Sequence, residues 1–475
     1  MNRNPGVKII ESNTPSVGAA GMSGLVPLLV GAFWKKDGTQ AKAADGAVYV
    51  ANYAEFAEKF VAAPLIVKLA EAWGEAASSP PPQGSDGENG EEAGAVEVKK
   101  SKKATKEADS VAVNAATEVP FTSGSPTKVI ATHLYDNSAA AVASYFSNGG
   151  GACYLLALSA SDGKTELEKA TAELDEVSLY VPLNASAQDL VKDSIAAIQQ
   201  HNPQSLFIAH AAFTSDTPPA GPVMPDNEFS ASYTPELKLE SNLNVVNESG
   251  IFLGNKLLSD WRDSPMTVAT YHIVKANLAL APLDFSAVSS LTLSPVAAVA
   301  GAYCTTERNR GVWKAAANVS LVGVTPVHNI SAREHGDLNG VGVNAILWSS
   351  QKGTSIMGAR TSANPDITNW RYVPVRLLFN TVERDVSAML APIIFQPNSA
   401  PTWQAVVAGI SNYLHGIWKR GGLFGNSPEE AYRVQIALQD GDIDNGILRV
   451  RVSLAALRPV EFIDLEFTQE LLAVA

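Results

Sequence analysis

The sequence predicts an α/β protein whose last third changes to an α+β pattern, on three observations. From Thr127 to Ala211 strand and helix patterns alternate, as in a unit built on a parallel sheet. From Val375 to Trp418 two apolar stripes of helical period follow one another. From Ala431 to Phe467 three segments alternate apolar and polar residues, as strands with one covered face do.

In chain order, the opening MNRNPGVKIIE carries Pro5, Gly6, Lys8 and Glu11 and lacks the apolar core of a signal peptide. GLVPLLVGAF (Gly24 to Phe33) is too short to span a bilayer and contains Pro27. Cytoplasmic synthesis without an export signal is therefore expected. Ala76 to Pro120 holds three consecutive prolines, then acids, then Lys99, Lys100, Lys102, Lys103 and Lys106. Such a composition buries too little apolar surface to offset chain entropy and predicts a disordered insert. KVIATHLY reads as a strand or a helix lead-in, SAAAVASYFSNGG as a helix stopped by Gly149 and Gly150, and ACYLLAL as a buried strand. TELEKATAEL, VSLYVPL, AQDLVKDSIAAIQQH and SLFIAH continue as helix, strand, helix and strand. Thr214 to Asp260 is loop-rich and gives no clear pattern.

The last third is the most legible. Val375, Leu378, Phe379, Val382, Val386, Met389, Leu390 and Ile393 form one helical stripe, with Pro374 suited to the first turn. IIFQPN is expected as a short strand. Trp403, Val406, Val407, Ile410, Tyr413, Leu414, Ile417 and Trp418 mark a second helix, with Lys419 and Arg420 at its C-terminal dipole and Gly421 and Gly422 as its stop. AYRVQIAL, GILRVRVSL and a terminal segment from Val460 to Phe467 read as strands. In the last, Ile463, Leu465 and Phe467 oppose Asp464, Glu466 and Thr468. No further turn follows to give this strand a partner.

The 475 residues suffice for roughly two to four domains. With 46% apolar and 17% charged residues the composition is that of a globular protein with a sizeable core. A net charge of −13 argues against nucleic-acid or anionic-membrane binding, since no basic excess exists to neutralise phosphates. Cys153 and Cys304 are too few for a disulfide framework and too far apart in sequence for a metal motif, so they read as small buried hydrophobes.

No catalytic, cofactor or metal constellation emerges. The seven histidines contain no pair at ligand spacing. GVGVN (Gly340 to Asn344) is a lone GxG and reads as a turn. DGDIDNG (Asp440 to Gly446) imitates the start of a calcium loop, but Asn445 stands where the turn glycine belongs and Arg451 where the bidentate glutamate belongs, so it reads as a hairpin connection.

Several segments resemble the contractile tail sheath proteins of phages, R-type pyocins and extracellular injection systems. They are RGVWKAAANVSLVGV (Arg310 to Val324), GVNAILW (Gly342 to Trp348), GARTSANPDITNWRYVPVRLLFNTVE (Gly358 to Glu383), IFQPNSAPTWQAV (Ile394 to Val406) and RPVEFIDLEF (Arg458 to Phe467). PGVKIIESN (Pro5 to Asn13), NYAEFAEKF (Asn52 to Phe60) and YFSNGGGACYLLAL (Tyr145 to Leu158) extend the resemblance toward the N-terminus. Ala316 replaces a usual proline, and Met357 stands where a tryptophan often precedes the GART segment.

The resemblance implies a sheath core domain built from both chain ends, with a mixed sheet and two amphipathic helices, an inserted α/β outer domain and extended terminal arms. The expected divisions are an N-terminal arm at 1–20, core at 21–75, the insert at 76–122, outer domain at 123–300, C-terminal core at 301–457 and C-terminal arm at 458–475. It implies a structural subunit, not an enzyme, without cofactor or metal. Such subunits stack as hexameric rings around an inner tube and contract to drive it through an envelope. The implied partners are further copies, the tube protein, and baseplate and cap proteins. Val7, Ile9 and Glu11 in one arm, and Val460, Phe462, Ile463, Leu465 and Phe467 in the other, are the candidate inter-subunit residues. Glu429, Glu430 and Arg433 are candidates for the tube-facing surface. The alternatives are a cap- or baseplate-proximal sheath paralogue, and an enzyme using Thr127 to Ala211 as a cofactor domain.

Overall fold

The computed structural model describes residues 24–36, 39–62, 67–68, 129–130, 132–133, 137–159, 161–214, 216–239, 251–253, 256–262, 271–272, 283–284, 291–366 and 368–462. The segments 1–20 and 76–122 lie outside these residues, as do Val7, Ile9, Glu11, Ile463, Leu465 and Phe467. The chain forms two compact units, one of Met1–Leu65, Tyr135–Val245 and Ser289–Ala475, the other of Ile66–Leu134 and Val246–Val288. Residues 123–300 are thus divided between the two units.

The first unit is mixed α/β around a nine-stranded sheet. Its strands are β1 (Pro27–Gly31), β2 (Val48–Val50), β3 (Cys153–Ala157), β4 (Leu179–Pro182), β5 (Leu206–His210), β6 (Ser230–Thr234), β7 (Val319–Ser320), β8 (Val343–Ser349) and β9 (Gly353–Ile356). They lie in the order β7-β9-β8-β6-β5-β4-β1-β3-β2. The middle strands run parallel, Leu29 facing Leu155 and Val181, Ile208 facing Ala231, and Asn344 facing Tyr233. Antiparallel strands close both ends, β2 on β3 and the β8–β9 hairpin with β7.

Period-two alternation sends the strand side chains to two cores. Leu28, Val30, Leu156, Tyr180 and Phe207 pack with α3 (Lys164–Thr171) and α4 (Ala185–His201) on one face. Leu29, Leu155, Val181, Ile208 and Tyr233 pack on the other with α2 (Ser138–Ser147) and α5 (Val296–Arg310). Asn184 caps α4 by accepting the Ala187 amide at 2.8 Å. Through Cys304 the α5 helix is apolar on almost every side and is buried accordingly, and its polar end at Arg308–Arg310 is exposed. Gly301 lets it approach α2, because a Cβ there would strike the Tyr145 carbonyl oxygen. Tyr233 and Tyr303 hydroxyls pair at 2.6 Å and tie β6 to α5.

The C-terminal part adds α6 (Ala332–Gly340), capped by Ser331 and Glu334, then α7 (Val373–Leu390), α8 (Ala400–Lys419) and the short α9 (Pro428–Ala431). A separate two-stranded sheet follows, β10 (Tyr432–Ile436) against β11 (Val450–Leu454). DGDIDNG joins these strands. Asp442 is buried there, its carboxylate taken by Arg449 at 2.7 and 3.0 Å and by the Gln439 amide.

One local expectation is corrected. IIFQPN is not a strand: Ala391–Ile393 is a 3-10 turn, and the amides of Ile394 and Gln396 bond back to Ala391 and Ile393. Those amides satisfy themselves locally, and Phe395 sits at φ +70°, which no ladder accommodates. Of the expected terminal strand, Val460–Phe462 joins no sheet within this chain, and Glu461 attaches by its side chain. The remainder of that strand lies outside the described residues.

The second unit, within its described residues, holds a four-stranded sheet in the order Lys256–Leu257, Ile251–Leu253, Val67–Lys68, Thr132–His133. Val129–Ile130 pairs with Leu283–Asp284, and Leu258–Arg262 is a short helix.

Candidate functional site

Three of the quoted segments, together with Asn339 of α6, meet at Glu461. Asn344, from GVNAILW, is fully buried and clamps the backbone of Arg360, donating to its carbonyl at 2.7 Å and accepting its amide at 2.7 Å. Gly358 permits this, since a Cβ there would lie 2.9 Å from the Asn344 backbone. Arg360, thus oriented, grips Glu461 of RPVEF with two parallel bonds, Nε to Oε1 at 2.8 Å and Nη2 to Oε2 at 2.7 Å. Asn339, in the last turn of α6, donates to Glu461 Oε1 at 2.8 Å, and the Tyr372 hydroxyl, from WRYV, donates to Oε2 at 2.9 Å. Burial alone would raise the Glu461 pKa, but these donors outweigh it and hold the carboxyl below its usual range.

Either side of this anchored carboxylate, Val460 and Phe462 are 80% and 72% exposed. Close by in sequence, Arg376 is fully buried, its guanidinium 4.3 Å from the Trp370 ring centroid and 4.6 Å from that of Phe229. It donates to Asn380 at 2.6 Å and to Glu383 at 3.2 Å, which pairs the charge inside the fold.

The β10–β11 sheet presents Tyr432, Val434, Val450 and Val452 to the core, while Arg433, Gln435 and Arg451 face outward. Among the described residues it contains these two strands alone. Glu429 and Glu430 are exposed on α9, and Arg433 is exposed one residue into β10, so these three do lie together. Glu430 also accepts the Asn426 amide at 2.8 Å. The Glu429 pKa is lowered by its own backbone amide and the Ser427 hydroxyl.

Sequence reasoning selected Val460 and Phe462 and passed over Glu461, Arg360, Tyr372 and Asn344, although each stands in a quoted segment. The available signal was a carboxylate, Glu461, between two large apolar residues, Val460 and Phe462. Among the described residues no group of histidines, cysteines or carboxylates could hold a metal ion, and both cysteines are buried with free thiols. Burial raises the thiol pKa of Cys304 to about 11. The arrangement holds the stretch 458–462 to the body through one carboxylate.

Residues 366–470 match the phage tail sheath C-terminal domain family. Over 99% of the chain the fold is that of an anti-feeding prophage baseplate chain (25% identity, TM-score 0.62, all of that chain covered). It also resembles a sheath chain of an extracellular contractile injection system, PVC, in its contracted state (26% identity, TM-score 0.62, 99% of this chain and 98% of that one). A third similar structure is the anti-feeding prophage helical sheath in its contracted state (25% identity, TM-score 0.61, 99% and 100% covered). No curated protein matches. The family match and the full-length structural likeness both support the contractile tail sheath family. That likeness is to chains of the anti-feeding prophage and of an extracellular contractile injection system, which are structural proteins and not enzymes. No helix among the described residues is long and apolar enough to cross a membrane.

Proposed function

We propose that this chain is the repeating subunit of a contractile sheath. It stacks as hexameric rings around an inner tube and, in passing from an extended metastable state to a contracted one, drives the tube through a target envelope. The observation that carries this reading is the pairing of an arm root with a two-stranded sheet. The last described stretch is fixed to the body at Glu461, and among the described residues the β10–β11 sheet holds two strands, packed on the core by one face. A strand from a neighbouring copy completes such a sheet by β-augmentation, with backbone bonds of about 0.5–1.5 kcal/mol each and alternate side chains fixing register.

Val460, Phe462, Ile463, Leu465 and Phe467 act in the C-terminal arm, and Val7, Ile9 and Glu11 in the N-terminal one. A head-to-tail contact of this kind propagates as an open helix. Glu429, Glu430 and Arg433 form a polar face toward the tube, from which the sheath must detach. Energy for contraction lies in two packings of one lattice, so no nucleotide is needed.

Negative-stain electron microscopy of the recombinant protein is the test. Long hollow tubes are expected, and deletion of Ile463 to Ala475 leaves rings or monomers; normal polymerisation of the truncated chain refutes the arm. Likeness to a baseplate chain favours a second reading, a baseplate-proximal sheath paralogue, which copy number per particle separates from the main sheath.

A further inference from the structure

We infer that Glu461 is a positioning residue for subunit linkage: its ion pair with Arg360 holds the stretch 458–462 to its own body and so fixes the point from which the C-terminal arm starts. The inference deepens the sheath reading and rests on it for its functional sense.

Two independent observations support it. The first is geometric. Within 458–462 the Glu461 carboxylate receives four hydrogen bonds from three elements of the body, from Arg360 twice, Asn339 and Tyr372, at 2.7 to 2.9 Å. The Arg360 side chain is 10% exposed and that of Glu461 20%, so solvent screens the pair little. Three residues earlier Arg458 makes one long bond, to Asn369 at 3.4 Å. Glu461 is therefore the strong attachment in this stretch.

The second is the parity of the sequence. Val460 and Phe462 occupy even positions, whereas Ile463, Leu465 and Phe467 occupy odd ones. A single strand running through all of them would place the two apolar sets on opposite faces. The parity changes one residue after the anchor. Up to Phe462 the chain turns Glu461 to its own body and Val460 and Phe462 outward, and the sequence beyond carries its apolar residues in the opposite parity.

Anchoring the stretch at Glu461 also shortens the free link. A short tether keeps the effective concentration of the arm at the neighbour high, and each added free residue dilutes it. Loss of the anchor frees the stretch back to Arg458.

The test uses the unassembled full-length chain and chymotryptic cleavage after Phe462, read by mass spectrometry as release of 463–475. Glu461→Gln and Arg360→Met are expected to release this peptide at least about tenfold faster than the parent chain, the loss expected for removing a charge-assisted pair. The exchange R360E/E461R is expected to recover part of the protection, and Glu466→Gln, beyond the anchor, to leave the rate unchanged. Equal rates for Glu461→Gln and the parent overturn the anchor. In parallel, tube yield is measured by sedimentation, and Glu461→Gln should lower it although its arm sequence is complete. If the parent chain forms no tubes, the sheath reading falls while the cleavage rates still decide the anchor. If it forms tubes and Glu461→Gln forms them equally well, Glu461 has no role in linkage and the inference fails.

Discussion

Arg376 illustrates how much one side chain can carry. It is fully buried between Trp370 and Phe229 and is neutralised by Glu383. Arg376→Ala removes the cation and leaves Glu383 without this partner, which typically costs about 3–5 kcal/mol. The expected result is a lower urea midpoint with an unchanged slope. His210 behaves differently. It ends β5 mostly buried, its Nε2 makes no hydrogen bond to the described residues, and burial lowers its pKa to about 4. The unfolded chain binds a proton near pH 6.5 that the native state refuses, so stability falls as pH drops from about 6.5 toward 4. By pH 4 the loss should reach about 3 kcal/mol, and His210→Gln should flatten that slope in urea titrations at successive pH values. Neither residue was singled out in the sequence, because their importance comes from burial, which the local pattern does not report.

At the scale of elements, periodicity succeeded where an element has one wet face. The α7 and α8 helices and the strands β10 and β11 were legible because apolar stripe and polar face alternate at a clear period. It read the covered strands β3, β4 and β5 from their apolar runs, but failed for two other buried elements. β6 is a central strand, yet Ser230, Ser232 and Thr234 make it look like loop; they are fully buried. The α5 helix has no polar face to reveal its period, so nothing in the pattern separates it from a buried strand. IIFQPN looks apolar enough for a strand, but local turn bonds claim its amides. The contact of α5 with α2 depends on Gly301. Gly301→Val should cost about 1–3 kcal/mol or more through overpacking, read as a lower thermal midpoint, and Gly301→Ala should fall between the two.

At the scale of the whole molecule, the sheath reading makes the interface, and not any cavity, the working part. Contraction driven by stored packing energy predicts that extended particles, warmed or treated with mild denaturant, shorten and widen with no nucleotide added. Electron microscopy and calorimetry should record one cooperative, exothermic conversion. A strict need for nucleotide would count against the stored-energy account. The resemblance was legible because its segments follow one another along the chain, and the structural likeness covers nearly all of it.

The sequence by itself determined the α/β character, the two amphipathic helices, the terminal strand pattern and the kinship with sheath proteins, since all of these are written in local period or in contiguous motifs. The tertiary structure decided that β1, β3–β6 and β8 share one sheet, that residues 123–300 are divided between two units, and that Arg360, Asn339 and Tyr372 converge on Glu461. Those outcomes depend on contacts between residues about a hundred positions apart, and one-dimensional periodicity carries no record of which distant partner a charge or a strand edge will find.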